Sequence, residues 1–144
     1  MKKILLFAVC LLISGLSYAQ DITVSEVPPA VLNAFNKSFP KATRVEWERK
    51  GDLYNVEFDI ARRDHELWLT SKGGIVKHKK ELRSSELPAA VLNTLKQNYK
   101  GFRIDDVDRY EEGKKFFYKI ELKKLLEEQK VIVDQNGKIS NKIY

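Results

Sequence analysis

The sequence predicts an α+β fold made of two tandem units, each with one helix packed on a four-stranded antiparallel sheet. Three observations support this prediction: an internal repeat, a proline-led amphipathic segment in each copy, and alternating apolar and polar residues after it. The 144 residues carry a formal charge of +6, with 43% hydrophobic and 32% charged residues. Those values are typical of a globular protein and exclude a disordered chain or a multi-span membrane protein. The predicted boundaries are 1–19, 20–82 and 83–144.

Residues 1–19 are predicted to be a secretory signal peptide. Lys2 and Lys3 precede a short apolar run, and a small-x-small cleavage site ends at Ala19. A membrane span would need roughly 20 apolar residues, which is longer than this run. Cys10 lies inside the run rather than after it, which argues against a lipoprotein. Cleavage would leave 125 residues with a charge of +4 and no cysteine, so disulfides and thiolate metal clusters are excluded from the exported form.

The remaining chain contains a two-copy repeat. The segment VPPAVLNAF at 27–35 recurs as LPAAVLNTL at 87–95, an offset of 60, and YNVEF at 54–58 recurs as YKIEL at 118–122, an offset of 64. Gly73 and Gly137 also match at 64. The change of offset indicates short insertions in the turns of the second copy. Two copies at this spacing indicate a duplicated small domain rather than a solenoid.

Each unit is predicted to begin with an amphipathic helix. Ser25 is a candidate N-terminal cap, and Pro28 and Pro29 fit a first helical turn. Pro40 and Gly101 are expected to end the two helices. The apolar positions at helical spacing are Val31, Leu32, Phe35 and Phe39 in the first copy and Val91, Leu92, Leu95 and Tyr99 in the second.

Four strands are predicted to follow each helix, joined by turns that contain glycine or charged residues. Asn136-Gly137 is the strongest hairpin signal among these turns. Residues 83–85 are expected to link the two units. The predicted strands are 44–48, 54–60, 65–70 and 75–80 in the first unit, and 102–110, 116–122, 128–133 and 139–144 in the second.

These features together resemble the PepSY-like domains, also called beta-lactamase-inhibitor-like, of exported bacterial proteins. The resemblance is carried by the Val-Pro-x-Ala-Val helix opening, the strand from Gly51 to Phe58, and the last turns at 73–74 and 136–137. It implies that a helix packs on one sheet face in each copy and leaves the other face to a partner. In the inhibitor that gives the family its name, such a surface clamps an enzyme. That target is not carried over, because nothing here matches an inhibitory loop.

Trp68 is the main candidate for contacting a partner. Its neighbours on the same face of the predicted strand are Glu66 and Thr70, so we expect Trp68 on the wetter face of the sheet. Its counterpart in the second copy is Ile132, which predicts a second apolar spot there. The alternative is that Trp68 fills the seam between the two units. Trp47 is instead expected in the core.

A basic stretch extends from Lys72 to Arg83. It could form an anion or nucleic-acid patch, but interspersed acids and export favour a solvated edge strand whose lysines discourage pairing. We therefore expect no nucleic-acid partner.

Candidates for catalysis or metal binding are few. His65 and Glu66 are consecutive on a strand and point to opposite faces, whereas His78 could reach His65 across a hairpin. The acidic residues from Asp105 to Glu112 lack the spacing of a calcium loop. Motifs for phosphate or dinucleotide binding and for a serine nucleophile are absent from the sequence.

Two functional hypotheses follow. The first is a non-catalytic exported module that contacts or inhibits an unidentified protein of the cell envelope, without a cofactor. The second is a periplasmic protein that binds a small ligand or metal ion through the histidines or the acidic run. An enzyme is a distant third. Export predicts a periplasmic or extracellular location.

Overall fold

The computed structural model describes residues 20–140, so the predicted signal peptide and the end of the last predicted strand lie outside the described residues. These residues form two α-helices and one nine-stranded antiparallel sheet whose strand order follows the sequence. The α+β prediction is confirmed. The helices are α1 (Pro29–Ser38) and α2 (Ala89–Asn98), and the strands are β1 (Gln20–Ile22), β2 (Thr43–Lys50), β3 (Leu53–Ile60), β4 (Arg63–Thr70), β5 (Ile75–Glu81), β6 (Arg103–Glu112), β7 (Lys115–Lys124), β8 (Glu127–Asp134) and β9 (Ile139–Ser140).

The sheet is continuous across the predicted boundary between units. Strand β5 pairs with β6, from His78 opposite Glu111 to Glu81 opposite Asp108. An additional strand, β1, pairs with β2 and forms one edge of the sheet. Two separate four-stranded sheets would each expose an unpaired edge here, and pairing β5 with β6 satisfies those backbone groups.

Both helices lie on the same face of this sheet. Residues directly opposite each other in neighbouring strands share a face. Leu67 of the first core is opposite His78, and His78 is opposite Glu111. Four residues before Glu111 on β6, and therefore on the same face, Val107 belongs to the second core. The opposite face, which neither helix covers, is called the open face below.

Two apolar clusters lie between the helices and the sheet. The first core gathers Val31 and Phe35 of α1 with Trp47 and residues of β3 and β4. The second gathers Val91 and Leu95 of α2 with residues of β6, β7 and β8. Each helix therefore has its own core, although the sheet beneath them is one. Burying these side chains supplies the main driving force for folding, at about 25 cal/mol per Å² of apolar surface.

The start of the first helix differs from the prediction. Ser25 does not cap α1 but lies in a 3-10 turn, Val24–Glu26, and Pro28 is the N-cap. Glu26 closes the turn by accepting hydrogen bonds from the backbone and side chain of Thr23 at 2.7 and 2.8 Å. Since proline fixes its own φ, Pro28 and Pro29 set the direction in which the helix begins.

A β-bulge shifts the register between Thr43 and Glu46. Arg44 at this bulge has a positive φ of 51°. Trp47 is only 4% exposed, as predicted, whereas Val45, within the bulge, is exposed. In residues 20–140, no helix is long and apolar enough to cross a membrane.

Candidate functional site

A row of aromatic side chains crosses the middle of the open face. Trp68 on β4 and Tyr110 on β6 both lie beside Lys77 of β5, whose ammonium nitrogen is 5.5 and 5.4 Å from the two ring centroids. Phe117 on β7 stacks on Tyr110 with a centroid separation of 5.0 Å and an interplanar angle of 2°. We call Trp68, Lys77, Tyr110 and Phe117 the aromatic row. It occupies four consecutive strands and joins the two halves of the chain.

Trp68 lies both on the open face and next to the seam, which are the two locations that the sequence left open. It lies on the open face, opposite Lys77, and its side chain is half-buried. It is also beside the seam, because Lys77 links it to Tyr110 from the second half. A second lysine, Lys50, lies 5.9 Å from its ring centroid. Cation–π contacts of this kind are favourable and restrict the position of the ring.

The other predicted contact residues are not all near Trp68. Glu66 flanks it on β4, and Thr70 does so on the other side, where its hydroxyl accepts a hydrogen bond from the Gly74 amide at 3.0 Å. Ile132 is on the open face as well, but on β8, four strands away. That separation is roughly 19 Å, given the usual strand spacing. Ile132 and Trp68 therefore form two separate apolar positions on one surface.

Polar groups beside Trp68 are tightly packed. Glu66 accepts hydrogen bonds from the Lys50 ammonium at 3.1 Å and from the Asn55 amide at 2.9 Å. Asn55 is fully buried, although it points to the open face. Its Oδ1 atom has no hydrogen-bond partner within the described part of the chain. Unpartnered buried oxygens are costly, which makes this position unusual for a structural residue.

Ion pairs across the seam correct the prediction for the basic stretch. Strand β5 is not an edge strand, because β4 and β6 flank it. Lys77 pairs with Glu112 at 2.9 Å, and Lys79 pairs with Asp108 at 3.4 Å. Both lysines thus hold the two halves together. Burial and the nearby Asp108 carboxylate raise the pKa of Tyr110, so this phenol stays protonated near neutral pH.

Next to the row, carboxylates surround a shallow cavity of about 260 Å³. Burial and the charges of Glu66 and Glu48 raise the pKa of Glu57. A hydrogen bond to Asp59 raises the pKa of Asp64. Among residues 20–140, no three histidine, cysteine, aspartate or glutamate side chains are arranged to hold a metal ion.

The two histidines meet on the helix side of the sheet. His65 Nδ1 is 2.9 Å from His78 Nε2. Burial and the neighbouring His65 lower the pKa of His78 to about 4, and burial together with Lys80 lowers that of His65. A cavity of about 250 Å³ beside them is also lined by Lys80, Arg109 and Glu111, and this net positive lining opposes a bound cation. The predicted contact between the histidines is confirmed.

Sequence reasoning missed Asn55, Tyr110 and Phe117. Three consecutive aromatic residues at 116–118 were the available signal, because in a strand they cannot all point to the core. The location of Phe117 beside Tyr110 required the pairing of β6 and β7 in register.

Comparisons with known proteins agree with this architecture. A family model described as "Putative beta-lactamase-inhibitor-like, PepSY-like" matches residues 17–77 and again 75–141. No curated protein matches the sequence. The two matches together span most of the chain and repeat the division seen in the cores.

Three crystal structures from Bacteroides share the fold. A BLIP-like protein from B. fragilis is 24% identical, with 78% of this chain and 82% of that one covered and a TM-score of 0.65. A DUF2874 family protein from B. uniformis is 21% identical, with 78% and 85% covered and a TM-score of 0.68. A third, from B. eggerthii and described as "putative periplasmic proteins", is 19% identical, with 78% and 85% covered and a TM-score of 0.69.

Proposed function

The chain belongs to the beta-lactamase-inhibitor-like, PepSY-like family, and from that premise we propose that it is a non-catalytic exported module whose open face binds a protein of the cell envelope. The observation that carries this proposal is the aromatic row on a sheet face that neither helix covers. Tryptophan and tyrosine are enriched among the residues that contribute most to protein–protein affinity. Trp68 is the residue of the row assigned to contact the partner.

The surroundings of the row resemble the anatomy of a protein interface. Glu66 with Lys50, and Lys77 with Glu112, place paired charges around Trp68. Such a polar rim around an aromatic centre excludes water without adding a large net charge. Since the row extends from β4 to β7, the binding surface needs both halves of the chain in one sheet. Ile132 is a second contact point for a partner large enough to reach it.

Export and the repeat unit are part of the same proposal. Residues 1–19 direct the chain out of the cytoplasm, and the B. eggerthii protein of similar fold is described as one of the "putative periplasmic proteins". We take α1 with β2 to β5, and α2 with β6 to β9, as the two copies of one unit. The composition of the two cores supports this division.

A photo-crosslinking experiment tests the function. A photoreactive amino acid replaces Leu53 or Ile132, which lie on the open face on either side of the row, in the protein expressed in its own host. The matched positions are Lys37 and Gln97, exposed on α1 and α2. We expect one discrete protein adduct from the open-face positions and none from the helix positions.

Trp68→Ala in the same strains should remove most of the adduct, because it deletes the ring assigned to contact the partner, whereas Trp68→Phe should retain it. Val24→Ala, an exposed valine in the turn before α1, controls for loss of surface apolar area. Circular dichroism of each purified variant checks that it is folded. Adducts from the helix positions alone, or no adduct at all, would contradict the assignment of the open face.

A further inference from the structure

Two leucines at the tip of the β7–β8 hairpin are fully exposed. Leu125 and Leu126 have relative exposures of 98% and 105%. Leu125 also has a positive φ of 52°, a conformation in which hairpins strongly favour asparagine, aspartate or glycine. In the folded monomer these side chains bury no apolar surface, and leucine is an unfavourable residue for the positive φ at position 125. They therefore indicate a contact outside the monomer.

The turn geometry does not require leucine. The equivalent turn of the first half, between β3 and β4, contains Ala61 and Arg62 at the repeat offset of 64. Ala61 has the same φ of 52°, and Arg62 has a φ of 63°. The first copy thus forms a two-residue turn, with the same positive φ at its first position, from a small and a charged residue. The apolar tip is specific to the second copy.

The second copy also has an open apolar groove beside α2. The groove has a volume of about 520 Å³ and is lined by Leu92, Leu95, Tyr99, Phe102, Ile104 and Leu122, with Lys96 and Lys100 at its rim. The core beside the groove has smaller side chains than the first core. The positions of Phe35, Trp47 and Phe58, which pack edge-on in the first core, are occupied by the smaller Leu95, Val107 and Leu122 in the second.

The tip and the groove are neighbours on the same copy. Lys124, directly before Leu125, reaches back so that its ammonium nitrogen lies 5.7 Å from the Phe102 ring centroid at the groove. Because the tip and the groove lie side by side, a single two-fold rotation can place the tip of each copy in the groove of the other. If they lay at opposite ends of the molecule, the same contact would form an open chain instead.

We propose that this chain forms a two-fold dimer in which the Leu125–Leu126 tip of each copy inserts into the α2 groove of the other. The charges at the two surfaces match: Glu127 and Glu128 follow the tip and are exposed, and Lys96 and Lys100 border the groove and are exposed. This dimer uses the helix side and one end of the sheet, so it does not rest on the function proposed for the open face.

Sedimentation equilibrium of the chain from Gln20 onward tests the dimer. The wild type should show twice the monomer mass, with a dissociation constant in the micromolar range. Leu125→Asn with Leu126→Gly should raise that constant at least about tenfold, while the hairpin is retained because Asn-Gly suits the turn. The matched control is Ala61→Asn with Arg62→Gly in the equivalent turn, which should leave the dimer unchanged.

A charge swap tests the groove. Lys96→Glu with Lys100→Glu should weaken the dimer, and adding Glu127→Lys with Glu128→Lys should restore it. A wild type that stays monomeric throughout the micromolar range overturns the proposal. A dimer that tolerates the tip variant, or one equally weakened by the control turn, overturns it too. Monomers that bind phosphatidylglycerol vesicles or crosslink to another protein through these leucines would assign the tip to that partner and also overturn the dimer.

Discussion

At the scale of single residues, the histidine pair is the group most sensitive to pH. His78 touches His65 and lies near Arg109 and Lys80, so burial and three positive or protonatable neighbours lower its pKa to about 4. The ring of Phe39 packs against it from the end of α1. On its other side, Glu111 is the cross-strand partner of His78 and forms an ion pair with Arg109 at 3.4 Å.

Stability should therefore fall as the pH is lowered from about 6.5 towards 4, because the unfolded chain takes up the proton of His78 and the folded chain resists it. His78→Gln removes the part of this dependence that His78 contributes, and His65, whose pKa is also lowered, keeps its own part. On going from about pH 7.5 to pH 5, the wild type should lose about 1 kcal/mol more of its free energy of unfolding than His78→Gln loses. Urea unfolding at the two pH values measures the difference. Lys72→Gln, a change at an exposed lysine, should leave the dependence as it is; equal slopes for wild type and His78→Gln would show that the pair does not titrate as described.

How far single residues could be predicted depended on whether the pairing of strands was needed. The alternation of residues alone placed Trp47 in the core and Trp68 on the other face. It could not place Tyr110 beside Lys77, since that contact needs β5 to pair with β6 across the repeat boundary. It also could not predict that Asn55 is fully buried. Asn55 lies between Glu48 and Trp68 of the neighbouring strands, and its amide donates to Glu66, which also accepts a hydrogen bond from Lys50.

At the scale of elements, the last turn of each copy is held against its helix by a glycine. At Gly73, a Cβ atom would lie 2.6 Å from the Ala30 carbonyl oxygen of α1. At Gly137, the corresponding distance to the Ala90 carbonyl oxygen of α2 is 2.7 Å. The Thr94 hydroxyl donates a hydrogen bond to the Gly137 carbonyl at 2.6 Å. Glycine therefore recurs at both positions because the turn and the helix approach each other too closely for a side chain.

Gly137→Ala should be strongly destabilising, and Gly113→Ala should be a matched control. Both glycines have positive φ, 86° and 61°, but a Cβ at Gly113 meets nothing within 4 Å. The backbone cost alone is about 1 kcal/mol, and forcing the turn away from α2 should add about 2 kcal/mol at Gly137. Denaturant unfolding of both variants measures the difference. Similar losses for the two would mean that the turn moves freely away from the helix.

The elements themselves were largely predictable, and the exceptions have identifiable causes. Helices and strands follow the apolar periodicity because each buries one face on a core. The cap at Ser25 was wrong because Pro28 already fixes the entry to α1. Strand β1 is three residues long and has no alternation of its own, so its pairing with β2 could not be predicted.

At the scale of the whole molecule, two apolar cores share one sheet, and the seam between them is polar. Apart from the backbone ladder of β5 and β6, the contacts described across it on the open face are the ion pairs and cation–π contacts of Lys77 and Lys79. Both tryptophans of the chain, Trp47 and Trp68, lie in the first half. Tryptophan fluorescence therefore reports the first half, whereas circular dichroism reports both.

Lys77→Ala with Lys79→Ala should weaken the coupling between the halves. We expect coincident urea transitions by fluorescence and circular dichroism for the wild type, and transitions that separate in the double variant, since each half retains its own core. Lys123→Ala with Lys130→Ala removes the same charge from ion pairs within the second half and should keep the transitions together. If the seam variant still unfolds in one step, the β5–β6 ladder and the Arg63–Glu86 ion pair suffice to couple the halves, and Lys77 of the aromatic row is then free to serve a partner.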